Sequence, residues 1–126
     1  PAMSPDLAQA TDLVPTLLAA AGLTPAKNLP GINLLDPVAV AARKTIYGEC
    51  FTHNSLDLEN PAASLRWRWL IDGHTKLIVP DAKNQPTDPV ELYDLAVDPT
   101  EENNLAAVRP EKVKILTAAL DARWKP

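Results

Sequence analysis

Thirteen prolines spread through 126 residues, against only four glycines, restrict this chain to short helices and strands. Each proline fixes φ and removes a backbone donor, so an element must start, stop or turn where one falls. Because they are dispersed rather than clustered, they mark many brief elements and not a low-complexity linker. With 46% hydrophobic and 22% charged residues, the composition is that of a globular protein with a core to bury. The length suits one domain and is short for two independent ones.

Twelve basic residues against sixteen acidic ones give a net charge of −4. No basic footprint exists for a nucleic acid or an anionic membrane surface, and neither is expected as a partner. The single cysteine, Cys50, excludes an internal disulfide, and no Cys/His cluster has zinc-ligand spacing. No apolar run approaches the roughly 20 residues that span a bilayer. No charged segment followed by an apolar one reads as a signal peptide. The start at Pro1-Ala2-Met3-Ser4-Pro5, without an initiator Met, fits a piece of a longer chain.

Helical spacing of Leu13, Leu17, Leu18 and Ala21 predicts a first helix over about 12–21, with Asp12 as N-cap, Pro15 in the first turn and Gly22 as its left-handed terminator. The proline-interrupted segment from Thr24 to Asp36 carries Leu29, Ile32, Leu34 and Leu35, and reads as a loop pinned to a surface. A strand is predicted over 44–51, where Thr45, Ile46, Tyr47 and Phe51 have β-branched or aromatic side chains. Period-two alternation makes 65–72 the strongest strand, and 75–79 returns beside it after an Asp72-Gly73 type I′ turn. That turn would set Ile71 opposite His74, Trp69 opposite Lys76 and Trp67 opposite Ile78. Both faces of the hairpin are partly apolar, as in a sheet covered on both sides. A last strand at 90–95 precedes a helix over 110–124, opened by Pro110 and lined by Val113, Leu116, Leu120 and Trp124. The predicted class is α+β: a small antiparallel sheet of about four strands with a C-terminal helix.

Catalytic motifs are missing. There is no Gly-x-Ser-x-Gly, no Ser-x-x-Lys and no phosphate-binding glycine loop among Gly22, Gly31, Gly48 and Gly73. His53 lies three residues from Cys50, the wrong parity to share a strand face, so Cys50 reads as a structural thiol. Asp98, Glu101 and Glu102 read as a solvated turn rather than a cation site, and Arg66 and Arg68 as the polar face of a strand. No catalytic and no metal-binding residue is expected.

Four segments nevertheless form a pattern. Asp12-Leu13-Val14-Pro15-Thr16-Leu17-Leu18 closes with Ala21-Gly22-Leu23, and Gly31-Ile32-Asn33-Leu34-Leu35 follows. Gly73-His74-Thr75-Lys76-Leu77-Ile78 comes next, and then Glu91-Leu92-Tyr93-Asp94-Leu95 with Asp98-Pro99-Thr100-Glu101-Glu102-Asn103-Asn104-Leu105. In order and spacing they resemble the C-terminal region of type I sulfatases, the alkaline-phosphatase-like enzymes that use a formylglycine. Asn33 stands where that family usually has Ser.

The resemblance implies that residues 1–43 end an α/β catalytic domain and that 44–126 form a C-terminal subdomain. It implies an upstream catalytic domain as partner, a sulfated small molecule or glycan as substrate, and calcium and formylglycine as cofactors of the whole enzyme, none of them held here. Secretion or a periplasmic location is implied as well. Cys50 is followed by Phe51-Thr52-His53-Asn54-Ser55 and lacks the C/S-x-P-x-R surroundings of a formylglycine precursor. The loop after the first subdomain strand reaches the substrate-pocket rim in such enzymes, which makes Glu49 and His53 the candidate substrate-binding residues. The plainer reading has Glu49 paired with a Lys or Arg and His53 capping a turn. A phosphonate or phosphodiester hydrolase, or a non-catalytic binding module, are the alternatives. The first helix and Leu29–Leu35, deprived of a catalytic domain, are expected to drive self-association.

Overall fold

The computed structural model describes residues 4–126. The chain packs as two compact units, Pro1–Ile46 and Tyr47–Pro126, and the division falls within the strand Thr45–Phe51.

In the first unit, helix α1 (Leu13–Ala20) follows a 3-10 turn at Ala10–Asp12. It ends in a Schellman motif: Leu23 N–H donates to the Leu18 carbonyl at 2.9 Å and Gly22 N–H to Ala19 at 3.0 Å, with Gly22 at φ +74°. Asp12 does not cap this helix. Its fully buried carboxylate accepts from the backbone N–H of Gln9 and of Ile32, each at 2.9 Å, and from both terminal nitrogens of Arg43. Charge-assisted bonds from Arg43, with the Gln9 and Ile32 backbone donors, have taken the side chain that helix propensity assigns to a cap. Thr16 continues the seam: its hydroxyl accepts from Leu34 N–H at 2.9 Å while donating to the Asp12 carbonyl at 2.6 Å. Gly31, at φ +93°, lies so near that a Cβ there would stand 2.3 Å from the Thr11 carbonyl oxygen. The segment expected to be pinned is therefore pinned by polar bonds onto α1. A second helix, α2 (Pro37–Ala42), was not expected; the Asp36 carboxylate caps it by accepting from Val38 and Ala39 N–H, with Pro37 in its first turn.

From Tyr47 onward the second unit holds the sheet, whose strands lie in the order β1 (Thr45–Phe51), β2 (Leu65–Asp72), β3 (Thr75–Pro80) and β4 (Glu91–Asp94). The β2–β3 and β3–β4 pairs are antiparallel. The hairpin register differs from the expected one: Asp72 faces Thr75, Ile71 faces Lys76 and Trp69 faces Ile78. The central turn residues are Gly73 and His74, and of the two only Gly73 has positive φ, at +59°. That is the type II′ pattern, with glycine in first position, and it moves the turn one residue along. Leu70, Leu77 and Leu92 lie on one face of the sheet and are buried under Leu116 and Leu120 of α3 (Pro110–Arg123). Trp124, expected on the apolar stripe of that helix, has already left it, with extended φ and ψ of −159° and 126°.

Two stability outcomes are expected. Leu77→Ala, at a fully buried position, should cost about 3 kcal/mol in urea unfolding, from lost transfer free energy plus the cavity left behind. For Asp12, burial by itself raises the carboxyl pKa, but the Arg43 hydrogen bond and the Gln9 and Ile32 backbone donors outweigh it and hold the group below its ordinary value. A depressed folded pKa contributes stability above the unfolded pKa and loses it as pH falls through the folded one. The stability gap between the native chain and Asp12→Asn should therefore be widest at neutral pH and close in acid, as read by thermal unfolding from about pH 7 to about pH 3.

Candidate functional site

Strand parity sorts the second unit into two faces. The α3-covered face carries Arg68, which is not a solvated polar side chain: only 8% exposed, it donates to the Trp124 carbonyl at 2.6 Å and pairs with Asp121 at 2.9 Å. Arg66 instead stacks over the Trp67 ring at 4.2 Å. Both arginines that alternate along β2 are thus committed within the fold, and neither is a ready anion site.

The opposite face forms a groove of about 440 Å³. Its apolar floor is Trp67, Trp69, Ile71 and Ile78, and Lys76, Asp88 and Glu91 supply polar groups around it. Trp69 fits because β1 has Gly48 there; a Cβ at that position would come within 2.7 Å of the indole. Asp88 accepts from Trp67 Nε1 at 2.9 Å. Lys76 Nζ donates to both carboxylate oxygens of Glu101, at 2.7 and 2.8 Å. The Tyr93 hydroxyl donates to Glu91 at 3.1 Å, and burial followed by that carboxylate pushes the phenol above its usual pKa, so it remains a donor at neutral pH. Cys50 borders this groove as an exposed free thiol, with only the Phe51 carbonyl near its sulfur at 3.9 Å. Cys50, expected to be a structural thiol, is open to solvent near the end of β1.

Glu49 and His53 lie elsewhere. Glu49 lines a groove of about 540 Å³ with Arg123, Trp124 and Lys125, and among the described residues its carboxylate has no ion-pair partner. His53, exposed, lines one of about 250 Å³ with Asp57 and Ser64. Phe51 and Pro61 border both, so the two residues are in adjoining grooves rather than in one. Cys50 and His53 are likewise not brought into one groove. The sheet-face groove escaped sequence reading, because Asp88 arrives from a loop 21 residues away from Trp67. The alternation of Trp67, Trp69 and Ile71 was its only local signal.

The corner after β4 is built by side chains acting as backbone substitutes. Asp98 accepts from Asn103 and Glu102 N–H, which holds its carboxyl below the ordinary value. Asn104 accepts from Leu92 and Ala106 N–H and donates to the Val90 carbonyl, extending the edge of β4. Glu101, at φ +61°, turns its carboxylate to Lys76. Among the described residues no three His, Cys, Asp or Glu side chains converge as a metal site requires.

These features meet a clear structural likeness. The 2-O GAG sulfatase BT1596 matches with a TM-score of 0.68 and 24% identity over 89% of this chain and 23% of that one. The chain has the fold of a sulfatase C-terminal region. BT4656, solved with its substrate D-glucosamine-2-N,6-O-disulfate, matches at 25% identity and a TM-score of 0.62, over 89% of this chain and 23% of that one. The phosphonate monoester hydrolase of Agrobacterium radiobacter gives 26% identity and a TM-score of 0.54, over 89% and 24%. The chain thus spans about a quarter of the length of each. No family model and no curated protein sequence matches it.

Arg68→Ala should destabilise the second unit by about 2 kcal/mol, since it leaves Asp121 and the Trp124 carbonyl without their donor. Urea unfolding measures the loss, and faster amide exchange confined to the end of α3 localises it.

Proposed function

We propose that this chain serves as the C-terminal part of a type I sulfatase that hydrolyses sulfate esters of a small molecule or glycan. The observation carrying the reading is the ranking of likenesses. The sulfate-ester proteins superpose at TM-scores of 0.68 and 0.62, above the 0.54 of the phosphonate monoester hydrolase. The sulfatase-like motifs supply support of a second kind, since each has a structural job here. In this reading the first unit ends the catalytic α/β domain, and the second completes the enzyme beside it. The protein is secreted or periplasmic.

In this reading none of the described residues performs the sulfur chemistry. Cys50 lacks the formylglycine sequence context, and the described carboxylates that resemble a cluster are spent on Lys76 and on backbone donors. They do not fit the calcium of such an enzyme. What Glu49 and His53 offer is recognition: Glu49 as a hydrogen-bond acceptor, and His53 as an imidazole that can donate or accept a hydrogen bond. A phosphonate monoester hydrolase is the second reading, supported by the 26% identity to that enzyme.

Kinetics on the full-length gene product test both readings. Aryl sulfate should be turned over well ahead of aryl phosphonate, and the reverse preference selects the second reading. His53→Ala should change kcat/KM between sulfated substrates by about five-fold, roughly one lost hydrogen bond, with the fold intact. The same value for every substrate removes His53 from the site. The 126-residue chain alone, supplied with calcium, should show no turnover of an aryl sulfate.

A further inference from the structure

The groove on the outer face of the sheet has no part in that reading, yet it has the makings of a ligand site. Its volume of about 440 Å³ matches one or two sugar rings and falls within the usual range for small-molecule pockets. We propose that it binds a pyranose saccharide that is uncharged or carries an amino group, stacked on Trp69 and oriented by Asp88 and Glu91.

Three observations lead there. The first is a fixed aromatic platform. Register puts Trp69 opposite Ile78, and Gly48 lets the indole lie against the β1 backbone, where a Cβ would stand 2.7 Å away. An indole held in this way presents a large apolar surface without losing rotamer entropy on binding, and the C–H face of a sugar ring is its natural complement. The second is free hydrogen-bonding capacity beside that platform. Trp67 Nε1 is spent on Asp88, but among the described residues the Trp69 indole N–H has no acceptor. Asp88 uses Oδ2 for Trp67 and Glu91 uses Oε2 for Tyr93, which leaves Asp88 Oδ1 and Glu91 Oε1 available to hydroxyl or ammonium donors. The third is the sign of the charge. Lys76 is neutralised by its two bonds to Glu101, so the carboxylates set an acidic rim. Sulfated or carboxylated sugars are repelled there, whereas neutral and amino sugars are accepted.

Isothermal titration of the full chain with cellotriose, with the glucosamine trisaccharide and with a heparin disaccharide tests the proposal without relying on turnover. Saturable binding of either of the first two, with dissociation constants of about 1 mM or below, and none of the heparin disaccharide, is the expected result. Trp69→Phe, which keeps an aromatic ring in the same fold, should weaken binding by at least about three-fold through the smaller face and the lost N–H. Asp88→Asn, in a loop, should weaken the amino sugar more than the neutral one. Equal affinity in the native chain and Trp69→Phe, preference for the heparin disaccharide, or no binding of either trisaccharide at about 10 mM would overturn it.

Discussion

The leucine seam between sheet and helix is the contact on which the second unit depends. Leu70, Leu77 and Leu92 come from three successive strands, and Leu116 and Leu120 from α3 close over them, each nearly or fully buried. A sheet of four short strands cannot stay folded on backbone pairing alone; it needs one face taken out of water. Covering that face fixes strand parity, and parity then determines what the other face carries. Trp67, Trp69 and Ile78 share a groove because Arg68, Leu70 and Leu77 are turned the other way.

The segments that resemble sulfatases prove to be junctions. Asp12, Thr16 and Gly31 hold the segment after α1 onto that helix through a buried carboxylate, a hydroxyl and a close backbone approach. Asn33, in the place of a family Ser, accepts from Leu35 N–H at 3.0 Å, a bond that a serine hydroxyl also makes. Lys76 from the third segment and Glu101 from the fourth form one ion pair, and Asn104 satisfies the edge of β4. Such residues specify a fold without touching a substrate. That is why a chain can carry the pattern strongly through residues whose work is structural.

Where local signals and tertiary contacts agreed, the sequence was readable. All four strands and the first and last helices lie close to their predicted places, because alternation, helical spacing and the Pro110 and Gly22 boundaries depend on near neighbours. Reading failed where a distant partner decides. Asp12 has the chemistry of a helix cap, but Arg43 and Ile32, 31 and 20 residues away, claim it. The Asp72-Gly73 pair suggested a type I′ turn, whereas the register set by the leucine seam required glycine one place earlier within the turn. Trp124 leaves α3, and its carbonyl is bound by Arg68, 56 residues upstream. Glu49 and His53 were chosen from a resemblance and not from periodicity, and the adjoining grooves they occupy are defined by Phe51 and Pro61, which no spacing rule connects.

The proposal to be tested is that this chain contributes architecture to a sulfate-ester hydrolase whose nucleophile lies elsewhere in the same protein. Sequencing the gene on the 5′ side of the codon for Pro1 tests that most directly. The account predicts an open reading frame in register with this one that encodes a C/S-x-P-x-R segment. A start codon placed immediately before Pro1, with no such segment encoded in frame, would contradict it.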